Sequence, residues 1–393
     1  MPPPVNLYFD YQASTPLDPR VAERVASVSV VEFANPHADD HAMGWSARAI
    51  IDQARQQIAE AIGALAEEVI FTSGATEADN IGVLGAALGA PQGRRRILVS
   101  AIEHKAVLES AYAATDLGYA VEHIPVGPDG IVDLDWLSRA VGADVALVSI
   151  MAVNNEIGVF QPIAEAAKIT ASVGSFFHTD ATQAPTAMSV DVFEWGVDAA
   201  SLSSHKVYGP KGVGALYVSS AAPWRPRPLM FGGGQEGGLR PGTLPTALCS
   251  GFGLAMTLLS PQERSAVAAL RDRLFDRLSA HVGDIRLTGA AAARHPGCLH
   301  VRFPTIDAKE LVTRLQPHLS VSTGSACTSG IIKTSHVLTA MGLDEMDANS
   351  GVRFSLGRFT TDEDIEEAAR LVVSALNRDD EMTAAELSRL AGS

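Results

Sequence analysis

From about residue 65 to 220 the chain alternates short apolar runs with helix-like stretches, and this alternation constrains the fold more than any other feature. Such alternation marks βαβ units, in which helices cover a mostly parallel sheet. EEVIFT (67–72), RRILVS (95–100), DVALVSIMAV (144–153), SFFHT (175–179) and ASLSS (200–204) read as five strands in succession. ATEADNIGVLGAALG (75–89) reads as the helix after the first, and GVGALYVSS (212–220) as a strand following a turn at Tyr208-Gly209-Pro210. The texture changes after Leu244. TALCSGFGLAMTLL and QERSAVAALRDRLFDRLSAH are helical, split by Ser260-Pro261, and CLHVRF, KELVTRLQ, GVRFSL and DIEEAARLVVSAL are shorter mixed elements. The chain is therefore expected to be α/β, with a large domain over residues 14–259 and a smaller α+β domain formed by 1–13 and 260–393.

With 393 residues, 47% of them hydrophobic, the chain has ample material for two cores. The formal net charge of −15 offers no basic face for a polyphosphate, so no direct nucleic-acid binding is expected. The one tight basic run, Arg94-Arg95-Arg96, reads as a solvated surface turn. Three cysteines, Cys249, Cys298 and Cys327, form no ladder of spacings, and neither CxxC nor HExxH occurs, so neither a disulfide framework nor a metal site is expected. No apolar run reaches the eighteen residues of a membrane span, and MPPPVNLYFD lacks the regions of a signal peptide. A cytoplasmic protein with no membrane contact is expected.

Each expected strand ends in polar residues: Ser73-Gly74-Ala75-Thr76, Glu103-His104, Asn154-Asn155-Glu156, Asp180-Ala181-Thr182-Gln183, and Ser203 with His205 and Lys206. Open α/β sheets bind ligands outside the carboxyl ends of their strands. Each residue also has a plainer reading. His104 and Asp180 suit helix caps, and Lys206 suits a surface turn. Taken together, a lysine, an aspartate and a histidine around one pocket suit pyridoxal 5'-phosphate. That cofactor needs a lysine for its aldehyde and an acid beside its ring nitrogen. SGAT opening a helix supplies amide donors for its phosphate. GPKGVG (209–214) lacks phosphate-loop spacing and reads as a turn. GGGQEGGLRPGT (232–243) reads as a flexible loop on which Arg240 and Thr243 offer anion contacts.

FTSGATEADN, IEHKAV, SIMAVNNEIGV, HTDATQA, SSHKVYGPKGVGALYV, GGGQEGGLRPGT, STGSACTSG and VRFSLGRFT, in that order, resemble the pyridoxal-phosphate cysteine desulfurases, in the group whose cysteine precedes Thr-Ser. The resemblance spans about Tyr8 to Asp364. It implies the fold-type-I aminotransferase architecture, L-cysteine as substrate, a sulfur-acceptor protein as partner, and a homodimer with sites at its interface. Lys206 resembles the Schiff-base lysine, Asp180 the partner of the ring nitrogen, Gln183 the donor to the ring hydroxyl, and His104 the residue stacked on the ring. Ala75, Thr76, Ser203 and His205 resemble the phosphate cup. Thr243 resembles the residue reaching the other subunit's phosphate, and Asn155 and Arg353 the substrate-carboxylate holders. Cys327 resembles the cysteine that takes the sulfur as a persulfide while alanine leaves. An unshifted thiol is mostly protonated at neutral pH, and His104 is the candidate to activate it. Cys249 and Cys298 read as buried packing thiols.

The pattern departs from the family at Ser204, at His37 and Asp39, and at Ile331-Ile332-Lys333. Members of the resembled family that serve an iron–sulfur scaffold often carry a longer tail than LVVSALNRDDEMTAAELSRLAGS, so the resemblance leads to the expectation of a dedicated sulfur donor, with iron–sulfur assembly, tRNA thiolation, cofactor sulfuration and DNA phosphorothioation as the candidate pathways. A selenocysteine lyase or related aminotransferase, and a non-catalytic sulfur-handling scaffold, stand as the alternatives.

Overall fold

The computed structural model describes residues 6–324 and 334–377. Its largest element is a seven-stranded sheet of β1 (Val69–Thr72), β2 (Arg96–Ser100), β3 (Ala120–Ile124), β4 (Val145–Ser149), β5 (Phe176–Asp180), β6 (Ala199–Ser203) and β7 (Gly214–Val218), in the spatial order β1-β7-β6-β5-β4-β2-β3. All neighbours pair in parallel except β7, which runs antiparallel to both β1 and β6.

The strands read as apolar runs because both faces of the sheet are covered. Within β2, Leu98 packs into one core while Ile97 and Val99 pack into another; Phe177 and Phe176 of β5 divide the same way. The first core is closed by α1 (Pro19–Val31), α2 (Ala42–Ile62) and α5 (Thr246–Thr257). Between them in sequence, α3 (Ala75–Asn80) follows β1 and continues through a π-helical turn at Ile81–Gly85, and α4 (Lys105–Ala113) follows β2.

A separate core gathers Leu274 and Leu278 of α6 (Pro261–His281), Leu311 and Leu315 of α7 (Ala308–Leu315), and Ile365 and Val372 of α8 (Asp362–Leu376). These helices back a three-stranded antiparallel sheet of β8 (Arg286–Leu287), β9 (Cys298–Arg302) and β10 (Gly351–Ser355). Phe9 belongs to this core, and Leu7 pairs with Leu319, so the amino-terminal segment packs with the carboxyl-terminal elements.

Two expectations change. Strand β3 was not anticipated: AVEHI is an edge strand, half exposed, and its Glu122 and His123 break the apolar run. The arginine run is not a solvated turn. Arg94 donates to the carbonyls of Val145 (2.7 Å) and Val173 (2.8 Å) and to Ser175 Oγ (3.0 Å), with its guanidinium 5.5 Å from the Trp224 ring centroid. Arg95 lies over Tyr119, and Arg96 pairs with Glu122 at 2.7 Å. Guanidinium forks satisfy carbonyls at the strand starts that the sheet leaves open. No helix among the described residues is long and apolar enough to cross a membrane.

Candidate active site

A cavity of about 520 Å³ opens at the carboxyl ends of β1, β5 and β6. Of the twelve residues proposed from sequence, ten line it: Ala75, Thr76, His104, Asn155, Asp180, Gln183, Ser203, His205, Lys206 and Arg353. Thr243 is exposed and lies outside this lining. Cys327 lies outside the described residues, as do Ile331, Ile332 and Lys333.

Lys206 follows β6 in a short helical turn, Ser204–Lys206. Its ammonium donates to the carbonyls of Gln12 (2.5 Å) and Ala13 (2.9 Å). Burial pushes the amine down to about 8; Arg353 adds to the effect, and Asp180 and Asp10 oppose it. The neighbouring Tyr208 is buried in a left-handed backbone conformation, φ +65°. Its amide donates to Thr15 Oγ1 (2.8 Å), its hydroxyl accepts from the Arg358 amide (2.8 Å), and the Arg358 guanidinium sits 4.1 Å from its ring centroid. These contacts hold an uncommon backbone geometry two residues from the lysine. Replacing Tyr208 with phenylalanine leaves the Arg358 amide without its acceptor, and urea unfolding is expected to register a loss of about 1–3 kcal/mol.

Asp180 ends β5 and accepts from the Thr182 amide at 2.9 Å. This bond closes a turn and does not cap the next helix, whose N-cap is Gln183, so the capping reading of Asp180 gives way to the site reading. For His104 the two readings coexist: its Nδ1 accepts from the Ala106 amide (3.1 Å) and caps α4 while the ring lines the cavity. Burial lowers the His104 pKa against the pull of Asp180, and Lys206 and Lys105 lower it further. A neutral imidazole that accepts at Nδ1 carries its proton on Nε2. It then presents a donor, not a base, at that atom.

Where β1 gives way to α3, Ser73–Thr76 lie against β7. A Cβ on Gly214 would stand 2.5 Å from the Leu202 carbonyl oxygen and 2.7 Å from Gly74 Cα, so only glycine permits this approach. Glu77 accepts from the Ser73 amide (2.5 Å) and from Arg240 (2.9 and 3.2 Å). Arg240 is therefore committed to a carboxylate, which corrects its reading as an anion contact. Its loop is pinned a second time by Glu236, which accepts from Arg55 at 2.7 Å and from the Phe71 amide at 2.7 Å. Ser203 Oγ, buried beside the cavity, has no partner. The turn GPKG contributes Lys211 and Gly212 to the wall, a part the sequence reading did not assign to it.

Arg353, on β10, donates to the Asn155 carbonyl (2.6 Å) and to Asp10 (2.5 Å), and its buried Nε has no hydrogen-bond partner among the described residues. The segment Asp10–Thr15 thus touches both Arg353 and Lys206. Sequence reading missed it, because Gln12 meets Lys206 across 194 positions and through its main-chain carbonyl, where residue type carries no signal. Cys249 and Cys298 are fully buried, and burial pushes the Cys298 thiol up to about 11.

Pyridoxal phosphate fits these residues: an orphaned serine hydroxyl and the first amides of α3 for a phosphate, a carboxylate and a carboxamide for a ring, and a desolvated amine for an aldehyde. A family model described as Aminotransferase class-V matches residues 7–368. Among curated relatives, a cysteine desulfurase IscS of Rickettsia bellii is 42% identical over 375 residues, covering 95% of this chain and 91% of the relative. A solved NifS-like protein superposes with a TM-score of 0.86 at 33% identity, covering 95% of this chain and all of that one. DndA from Streptomyces lividans superposes with a TM-score of 0.73 at 37% identity, covering 87% and 97%.

Proposed function

We propose the residue roles below from the premise that the chain belongs to the class-V aminotransferases and is a pyridoxal-phosphate-dependent cysteine desulfurase. The observation that carries them is that Lys206 and Asp180, 26 positions apart in sequence, line one cavity together with Arg353.

Ala75, Thr76, Ser203 and His205 would hold the cofactor's phosphate, Asp180 its ring nitrogen and Gln183 its ring hydroxyl. When bound, the cofactor supplies an aldehyde for amines and a ring that accepts electrons. The chain's own residues do the rest. Arg353, through its unpaired Nε, and Asn155 hold the carboxylate of L-cysteine. Lys206 removes the proton from the substrate's Cα, since its lowered pKa leaves part of it neutral near neutral pH. His104 would lie against the ring, with its Nε2 as a donor. The Cys327 thiolate attacks the substrate's sulfur: a sulfur–sulfur bond forms, the substrate's carbon–sulfur bond breaks, and alanine leaves after its β-carbon gains a proton. The persulfide then passes to an acceptor protein. The acidic net charge favours a protein contact over naked nucleic acid. Exposure of Thr243 outside the cavity lining suits a residue that serves a second copy's site, and we infer a homodimer.

The test is a mass measurement. After incubation with L-cysteine, the Cys327 peptide is expected to gain one sulfur atom as alanine appears. Cys327→Ala is expected to release alanine at least about a hundredfold more slowly. Full alanine release by that variant would remove Cys327 from the reaction.

A further inference from the structure

Among the described residues Asp79, on α3, is a carboxyl group with no exposure and no hydrogen bond to either oxygen. Its Oδ1 lies 3.8 Å from His178 Nε2. His178 is equally buried, with Ser149 Oγ 2.8 Å from Nδ1 and Ser201 Oγ 3.0 Å from Nε2. It precedes Asp180 by two residues on β5, so both side chains project from the same face of the strand. The sequence reading left Asp79 unassigned.

The groups facing Asp79 are His178 and Asp180 from β5, the Ser201 hydroxyl from β6, and Glu103 from the end of β2. Glu77, its neighbour on α3, is taken by Arg240. None of these supplies a cation. A carboxylate whose one nearby donor is the Ser201 hydroxyl costs several kcal/mol in such a place, and the group takes up a proton instead. An Asp79–His178 ion pair is the other way to place one proton on the two groups. Its 3.8 Å separation is about 1 Å longer than a charge-assisted hydrogen bond, and the imidazole already has a serine hydroxyl at each nitrogen. Burial drives Asp79 well above the usual carboxylate range, the charge of Asp180 adds to this and the Ser201 hydroxyl opposes it, and burial drives His178 down to about 4.

We propose that Asp79 is an uncharged carboxyl group that, with neutral His178 beside it, leaves Asp180 as the one negative charge offered to the cofactor's ring nitrogen. This deepens the reading of Asp180 given above and rests on it. A carboxylate at Asp79 would place two like charges side by side and raise the proton affinity of both, so the neutral form keeps the interaction with the ring nitrogen single.

Infrared spectroscopy of the holoenzyme tests this directly. At pH 8 Asp198, which burial raises only to about 6, is expected to be ionised. The difference spectrum of wild type minus Asp79→Asn is then expected to contain the carbonyl band of one protonated acid. Carbon-13 aspartate labelling of the wild type is expected to shift that band, whereas a band from Glu103, which stays unlabelled, would not move. Asp79→Asn, neutral at every pH, is expected to keep the cofactor's dissociation constant within about threefold of wild type. A carboxylate pair in place of the acid band, absence of any label-sensitive acid band, or weaker cofactor binding beyond threefold in a folded variant would each overturn the proposal. Asp180→Asn separates this from the underlying reading: if its bound cofactor has the wild-type visible spectrum, the role of Asp180 fails whatever the infrared band shows.

Discussion

Replacing Lys206 with alanine is expected to lower alanine release from L-cysteine by at least about a thousandfold, within the range that a positioned acid–base group supplies. The effect is large because, among the described residues, no other group in the cavity lining can take the role. Lys211 also lines the wall, but it is exposed. His104 has its Nδ1 occupied by the Ala106 amide. Lys206→Arg keeps a cation but is expected to be equally inactive, because a guanidinium does not give up its proton in water. The lowered pKa carries a sign that can be checked. With a value near 8, about a tenth of the amine is neutral at pH 7, and the fraction grows as pH rises. The rate limited by this base should therefore climb with pH and level off above about 8, not above the ordinary lysine range. A flat profile from pH 6 to 9 would show that the proton leaves by another route.

How much of this was legible beforehand follows from which interactions are local. The strands were legible because a sheet covered on both faces needs uninterrupted apolar runs, and the polar residues that stop those runs therefore mark the cavity. Ten site residues were found this way or through the resemblance. The edge strand Ala120–Ile124 was hidden because exposure lets Glu122 and His123 interrupt it. Interactions made by the main chain were hidden altogether: the carbonyls of Gln12 and Ala13 hold Lys206, and no side-chain pattern reports them. Ion pairs misled in a different manner. Arg240 and Glu77 are 163 positions apart, so Arg240 looked free for an anion, and Arg94 looked solvated although its acceptors are the carbonyls of Val145 and Val173. Asp79 sits in ATEADN, which has the composition of a solvated helix face, yet the helix is clasped between the sheet and α4.

The charge of Asp180 can be separated from its role in the turn after β5, and asparagine does so. Asp180→Asn keeps the volume and an oxygen to accept from the Thr182 amide, so the turn after β5 should survive and the unfolding midpoint should move little. What it removes is the negative charge. The other acids near this point do not replace it. Glu77 is spent on Arg240 and the Ser73 amide. Glu103 is fully buried, and burial pushes it well above the usual range, with the charge of Asp180 adding to that. Alanine release is therefore expected to fall by about a hundredfold to a thousandfold, the scale of losing one preorganised electrostatic contact in a site shielded from water. Asp180→Ala should add a loss of stability of about 1–3 kcal/mol, because the Thr182 amide then lacks its acceptor. The pair of variants thus divides one side chain into two measurable parts. If Asp180→Asn kept more than about a tenth of the wild-type rate, the carboxylate would be a turn-former and nothing more, and the acid beside the ring nitrogen would have to be sought elsewhere on the cavity wall.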